Sequence, residues 1–269
     1  MRKAKTPTRT KKPNTRHSGI ARMLSKLGYC SRNQGFDLAR SGRVAVNGTI
    51  RRDPEYPVRE SDRITVDGEE LKPTARAYLM MNKPRGLVTT ASDEKGRATV
   101  YSLLPGDVPW LSPVGRLDLA SEGLLLFTND TQWANTIVSP DSHLDKTYRV
   151  QIASVACDAL LERLRAGIPH RGETRRIVRA SILRAGSKNS WIEIVLDEGR
   201  NRHIRRIFDA LGIEVLRLIR VSVGPLELGD LAKGMVRPLR SAEKQALDGA
   251  ISRARGTREP AKRSSSRRV

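Results

Sequence analysis

The sequence predicts an α+β protein: a small N-terminal α/β module, then a larger domain on a mixed or antiparallel sheet. Three observations carry this. Alternating apolar runs outnumber helical stripes and often follow one another directly, which separates α+β from repeating βαβ. The first group of short elements closes within residues 18–72, and Pro73-Thr74 then reads as a linker. Both ends are basic and poor in apolar residues. Residues 1–17 hold seven Lys or Arg and no acid; residues 252–269 hold seven and one acid, Glu259. Residues 1–17 and 251–269 are therefore read as disordered basic tails around domains 18–72 and 76–250.

Within the first module, Ile20, Met23, Leu24 and Leu27 fall at helical spacing and Gly28 suits the C-cap. Ser31 is placed to cap a second helix through about Ala39. Arg43 to Asn47-Gly48 alternates and ends in a hairpin dipeptide, and Asp62 to Asp67-Gly68 repeats the pattern. In the larger domain, Tyr78–Met81 opens as a strand and stops at Lys83-Pro84-Arg85-Gly86. Glu122 to Thr128 is apolar on both faces, hence central in a sheet. Lys146 to Ile152 puts Tyr148, Val150 and Ile152 on one face; Trp191 to Leu196 puts Ile192, Ile194 and Leu196 together. Leu160, Leu161 and Leu164 mark a helix, as do Ile204, Ile207, Phe208 and Leu211, with Asn201 as the candidate cap. Val215–Ile219 and Val221–Val223 supply further strands.

Composition narrows the partners. The 269 residues carry a net charge of +21, and the part between the tails is basic in its own right at +8. That calls for a polyanion or an anionic surface, and with no amphipathic basic helix nucleic acid ranks above membrane. Aromatic residues are 4% of the chain, too few for stacking on single-stranded bases to dominate. Cys30, Cys157 and four scattered histidines form no metal-ligand spacing and no disulfide framework, so no metal and no cofactor are expected and a cytoplasmic setting fits. No run is long or apolar enough for a signal peptide or a membrane span.

From residue 20 to 52, Arg22, Lys26, Arg32, Arg40, Arg43, Arg51 and Arg52 face one acid, Asp37. Such a surface suits phosphates or is simply solvated. The runs Met23-Leu24-Ser25-Lys26-Leu27-Gly28-Tyr29-Cys30-Ser31-Arg32 and Ser41-Gly42-Arg43-Val44-Ala45-Val46-Asn47-Gly48 resemble the alpha-L RNA-binding module of a small-subunit ribosomal protein. The resemblance implies RNA contacts from Arg22, Lys26, Arg32, Arg40 and Arg43. It departs at Asn33-Gln34-Gly35-Phe36, where Gly35 costs about 1 kcal/mol of helix preference.

Asp118 lies in Val114-Gly115-Arg116-Leu117-Asp118-Leu119-Ala120-Ser121, a loop against a buried strand. On the residues alone it reads as a turn former, a helix cap or a catalytic carboxylate. The run resembles the catalytic signature of RsuA/RluB-type RNA pseudouridine synthases, in which the Asp is the nucleophile. Three more segments resemble that family: Met80 to Gly86, Lys146-Thr147-Tyr148-Arg149-Val150, and Glu198 to Phe208. The resemblance implies a pseudouridine synthase catalytic domain after an RNA-binding module. It places Tyr148 beside the uracil and Arg205 in contact with the Asp118 carboxylate, and adds RNA contacts from Arg116, Arg202 and Arg206. His203 stands where the family carries Gln; it is read as structural or as an RNA contact.

The expected reaction is isomerisation of uridine to pseudouridine in structured rRNA or a ribosomal assembly intermediate, by a monomer, with the base flipped into the site. Asp118 attacks the base or the sugar, or assists departure of the base; the residues do not choose. The third motif and the Leu226 to Leu231 ending favour large-subunit rRNA. The competing reading is an RNA-binding or ribosome-assembly protein without activity.

Overall fold

The turn chemistry of the first module sets its fold. The computed structural model describes residues 17–170, 173–200 and 202–256, and contacts divide the chain between Thr74 and Ala75. The first unit runs β1 (Ser18–Gly19), α1 (Ile20–Lys26), α2 (Arg32–Arg40), β2 (Val44–Val46), β3 (Thr49–Ile50), β4 (Pro57–Val58), β5 (Ile64–Val66) and β6 (Glu69–Glu70). Strands β3-β2-β5-β6 form one sheet, and β1 pairs β4. Asn47-Gly48 and Asp67-Gly68 have positive φ at both positions, as the two-residue hairpins β2–β3 and β5–β6 require. Ser31 caps α2 through a full capping box with Gln34. Gly35 is a packing requirement rather than a weakness: a Cβ there would lie 3.0 Å from Ala21 Cα, so glycine lets α2 close on α1.

The second unit runs β7 (Tyr78–Lys83), β8 (Ser112–Val114), β9 (Glu122–Thr128), α3 (Thr131–Val138), β10 (Lys146–Ile152), α4 (Asp158–Ala166), β11 (Ile168–His170), β12 (Glu173–Arg175), β13 (Arg179–Ala185), β14 (Ser190–Leu196), α5 (His203–Ala210), β15 (Val215–Val223), β16 (Leu226–Glu227), β17 (Val236–Pro238) and α6 (Ser241–Gly256). Its main sheet has the order β13-β14-β10-β15-β9-β7-β17, with β16 on β15 and β8 on β9. All pairings are antiparallel except β15 with β9, so the sheet is mixed. At that parallel seam Gly123 faces Arg220, and a Cβ on Gly123 would sit 2.2 Å from the Arg220 carbonyl oxygen. Only glycine allows the two halves of the sheet to join there.

Strand β9 is buried along its whole length. Leu124 and Leu126 pack into a core with Trp133, Ile137, Val223 and Leu247; Leu125 and Phe127 pack into a second with Leu79, Met81 and Leu111. A third core sits under α4 and α5, where Val150, Ile152, Ile192 and Ile194 meet Leu161, Leu164, Ile207 and Phe208. The residues read as two strands at 215–223 form one, β15.

The C-terminal boundary needs correction. Helix α6 reaches Gly256, so residues 251–256, read from composition as the start of a tail, are helical. Ile251 lies one turn beyond Leu247 and both are buried in the β9 core, which carries the helix through a basic stretch. Residues 1–16 and 257–269 of the two tails, and the candidate cap Asn201, lie outside the described residues.

Candidate active site

Asp118 sits in the loop from Gly115 to Ser121, between β8 and β9. Gly115 has φ +75 and turns the chain out of β8. Five successive carbonyls of the loop each accept a hydrogen bond. Thr89 Oγ1 donates to Leu117 (2.7 Å), and the Gly86 N–H to Leu119 (2.8 Å). Arg205 Nη2 donates to Ala120 (3.0 Å), while Asp118 accepts from the Ser121 N–H (2.9 Å) and Lys83 Nζ (3.2 Å). Ser121 accepts from Lys83 Nζ (2.9 Å). The backbone under the carboxylate is fixed on every side, as a site built to tight tolerance requires.

Lys83 is fully buried, and its ammonium also donates to the Pro84 carbonyl (3.1 Å). Burial pushes its amine down to about 8, against the pull of Asp118 and Glu122, so the three-donor ammonium persists at neutral pH. Lys83 was not read as functional from the sequence. The signal was present: it continues the phase of buried Leu79 and Met81 along β7.

The Asp118 carboxylate opens on a cavity of about 370 Å³ shared with Arg116, Tyr148, Lys146, Leu218, Arg202 and Arg220. Tyr148 is half-buried on β10, opposite Ile194 of β14 and Arg220 of β15, and packs beside the α5 core. Asp118 and Tyr148, 30 residues apart in sequence, thus face one space.

The arginines divide differently from expectation. Arg205 donates to the Ala120 and Val215 carbonyls (3.0 and 3.1 Å), so it ties the Asp118 loop to β15 rather than bonding the carboxylate. Burial lowers its pKa, Arg202 lowers it further, and Asp118 works in the opposite direction. Among the described residues, the guanidinium that pairs with the carboxylate is that of Arg202, with Nη1 3.9 Å from Oδ2. Arg202 is the N-cap of α5 in the left-handed region, φ +51, which turns its side chain off the helix face. Arg116 is exposed at the cavity rim, and Arg206 is half-buried on α5.

His203 is buried, with Nδ1 3.0 Å from Glu198 Oε1. Burial, opposed by Glu198 and reinforced by Arg175 and Arg200, lowers its pKa, so the ring is neutral at pH 7. Glu122 is also buried at the start of β9. Burial disfavours its charge, but ion pairs with Arg217 (3.1 Å) and Lys233 (2.6 Å) prevail and its pKa is lowered.

In the first unit the basic set is partly committed. Lys26 pairs with Glu60, and Arg43 holds Asp67 through Nε (2.8 Å) and Nη2. Both acids lie outside the sequence window in which Asp37 stood alone. Arg22, Arg32 and Arg40 are exposed on α1 and α2. Among the described residues no cluster of three or more His, Cys, Asp or Glu is placed to hold a metal. No described helix is long and apolar enough to cross a membrane.

A loop carboxylate facing a half-buried tyrosine across a cationic cavity is suited to nucleophilic work on a flat, anion-forming base. Similarity to known proteins gives the family. The profile of the RNA pseudouridylate synthase family matches residues 77–210, and that of the S4 domain residues 19–72. Ribosomal large subunit pseudouridine synthase B of Bacillus subtilis (strain 168) is 34% identical over 230 residues, covering 85% of this chain and 94% of that protein. An uncharacterized RNA pseudouridine synthase of Rickettsia prowazekii (strain Madrid E) is 38% identical over 216 residues, 80% and 91% of the two chains. A crystal structure of a pseudouridylate synthase superposes with a TM-score of 0.60 at 29% identity, covering 86% of this chain and 99% of that one. Matched along both units and over nearly the full length of these relatives, the chain belongs to the RNA pseudouridine synthase family, in its RsuA/RluB-type branch with an N-terminal S4 domain.

Proposed function

We propose that this protein converts uridine to pseudouridine in large-subunit ribosomal RNA, with Asp118 as nucleophile. The observation that carries the reading is the Asp118 carboxylate, opening on the Tyr148 cavity from a loop in which five successive carbonyls, Leu117 to Ser121, are held. The substrate class is supported by relatives named as ribosomal large subunit pseudouridine synthases, of Bacillus subtilis and Haemophilus influenzae among others.

The reaction moves the bond at the sugar's anomeric carbon from ring nitrogen to ring carbon, with no redox change. A paired base cannot reach a recessed carboxylate, so the target uridine flips into the cavity. Tyr148 stacks on the uracil. Arg205 acts as a positioning residue through the Ala120 carbonyl, and Arg202 lies close enough to Asp118 to favour its charged form. Arg22, Arg32, Arg40, Arg116 and Arg206 are the basic residues offered to phosphates, on rRNA or an assembly intermediate. The enzyme works as a cytoplasmic monomer.

The test is incubation with unmodified large-subunit rRNA transcript and chemical mapping of pseudouridine. Wild type is expected to modify a discrete site, and Asp118→Asn to bind the same RNA with no product. Equal product from both sinks the nucleophile assignment; tight binding with no wild-type product favours a binding protein.

A further inference from the structure

Two lysines are buried among the described residues, and their surroundings differ. The Lys83 ammonium directs its donors at three carbonyls. Lys146, 8% exposed, makes no hydrogen bond and no ion pair among the described residues. It lines the cavity that Asp118 and Tyr148 share. Strand register accounts for this: Lys146 lies two residues before Tyr148 on β10, flanked by Leu196 of β14 and Val223 of β15. Those apolar neighbours offer it no acceptor.

The charged groups around it come from three directions. Arg220 is supplied by β15, Asp197 by the end of β14, and Asp145 by the preceding residue of its own chain segment. Arg220 lines the same cavity and places Nε on the Leu124 carbonyl at 2.8 Å. The Lys146 side chain is buried, but its ammonium keeps access to the cavity and finds no acceptor among the described residues. A wall that keeps an ammonium facing an open cavity holds it for an acceptor that arrives with the ligand.

We propose that Lys146 is a further catalytic residue, donating a hydrogen bond to a carbonyl oxygen of the flipped uracil and stabilising the negative charge of the base while its bond to the sugar is broken. This rests on the reading of the chain as a pseudouridine synthase. When C1′–N1 breaks, the electron pair stays on the uracil and spreads over its carbonyl oxygens. If Asp118 first adds to the ring, the same oxygens take the charge. The C1′–C5 bond then forms from the ring's electrons, the Asp118 carboxylate leaves C1′ or the ring with the electron pair of its own bond, C5 releases its proton to solvent, and N1 takes one up. Lys146 transfers no proton; its charge is needed only while the base is anionic. Burial, reinforced by Arg220 and opposed by Asp197 and Asp145, pushes its amine down to about 8, so that charge is lost in mildly alkaline solution.

The experiment is single-turnover pseudouridine formation on large-subunit rRNA transcript by wild type, Lys146→Met and Lys146→Arg. RNA affinity and thermal unfolding are measured on the same samples. Lys146→Met is expected to lose about 100-fold in rate with RNA affinity within about threefold. The wild-type rate is expected to fall through about pH 8, and the fall to be smaller in both variants, where Lys83 alone still titrates in that range. A Lys146→Met rate within about threefold of wild type overturns the proposal while leaving the enzymatic reading intact. An alkaline fall of equal size in wild type and Lys146→Arg also overturns it, and this comparison decides alone if Lys146→Met does not fold. No product from wild type overturns the enzymatic reading, and this inference with it.

Discussion

Lys83 illustrates how much of this site rests on single side chains that never meet the substrate. Its ammonium joins the turn after β7 to the middle and the C-terminal end of the Asp118 loop. Lys83→Met leaves the Pro84 and Ser121 carbonyls without that donor, at roughly 1–3 kcal/mol each, partly offset by relief of a buried charge. The expected net loss is about 2 kcal/mol, a Tm drop of about 4–8 °C. Turnover is expected to fall with RNA affinity unchanged; calorimetry and single-turnover assays check both. Gly123→Ala places a Cβ 2.2 Å from the Arg220 carbonyl oxygen, at φ +103. It is expected to cost about 3 kcal/mol or more and to loosen the β9–β15 seam, visible in denaturant titration and as faster amide exchange on both strands. Asp118 was legible at this scale because its loop resembles a family signature. Lys83, Glu122 and Lys146 were not, because a lysine or glutamate in phase with apolar neighbours reads as a strand end until the surrounding acceptors are known.

At the scale of elements, caps and ion pairs decide where helices begin and dock. The α2 capping box depends on Ser31, and Ser31→Ala is expected to destabilise the first unit by about 1 kcal/mol, measurable by thermal unfolding of residues 1–74. Helix α6 docks through Glu243, which accepts from Arg237 at 2.8 and 2.6 Å and from the Arg240 N–H at 2.8 Å. Arg237 foremost, helped by Arg240 and opposed by burial, holds the Glu243 carboxyl down at about 2. Its pKa is lower folded than unfolded, so the stabilisation is complete above about 4.5 and is lost as pH falls towards 2. Glu243→Gln should therefore be less stable than wild type by about 1–2 kcal/mol at pH 7, with the gap narrowing by pH 3. Alternation and helical stripes located β9, β10, β14, α4 and α5 from sequence. They missed α6 altogether, because its apolar residues are sparse and its basic end has the composition of a tail.

For the whole molecule, every residue lining the cavity belongs to the second unit. Residues 75–269 alone are expected to keep Asp118-dependent turnover at saturating RNA, with a raised KM; complete loss of turnover would place part of the chemistry in the first unit. Residues 1–16 carry seven Lys or Arg. Deleting them should flatten log K against log salt by up to about 5, leaving the saturated rate within about twofold. The sequence by itself determined the two-part α+β organisation, the strands and helices with strong periodicity and the demand for a polyanion, and through a family resemblance it nominated Asp118 and Tyr148 as candidates. Those are properties of local spacing, charge and motif, which a linear chain displays directly. Only the tertiary structure decided which guanidinium approaches the carboxylate, that Arg205 holds the loop instead, and that Lys83 is saturated while Lys146 is not. Hydrogen-bond partners and burial arise between segments far apart in the chain, where the join of β15 to β9 sets the distances.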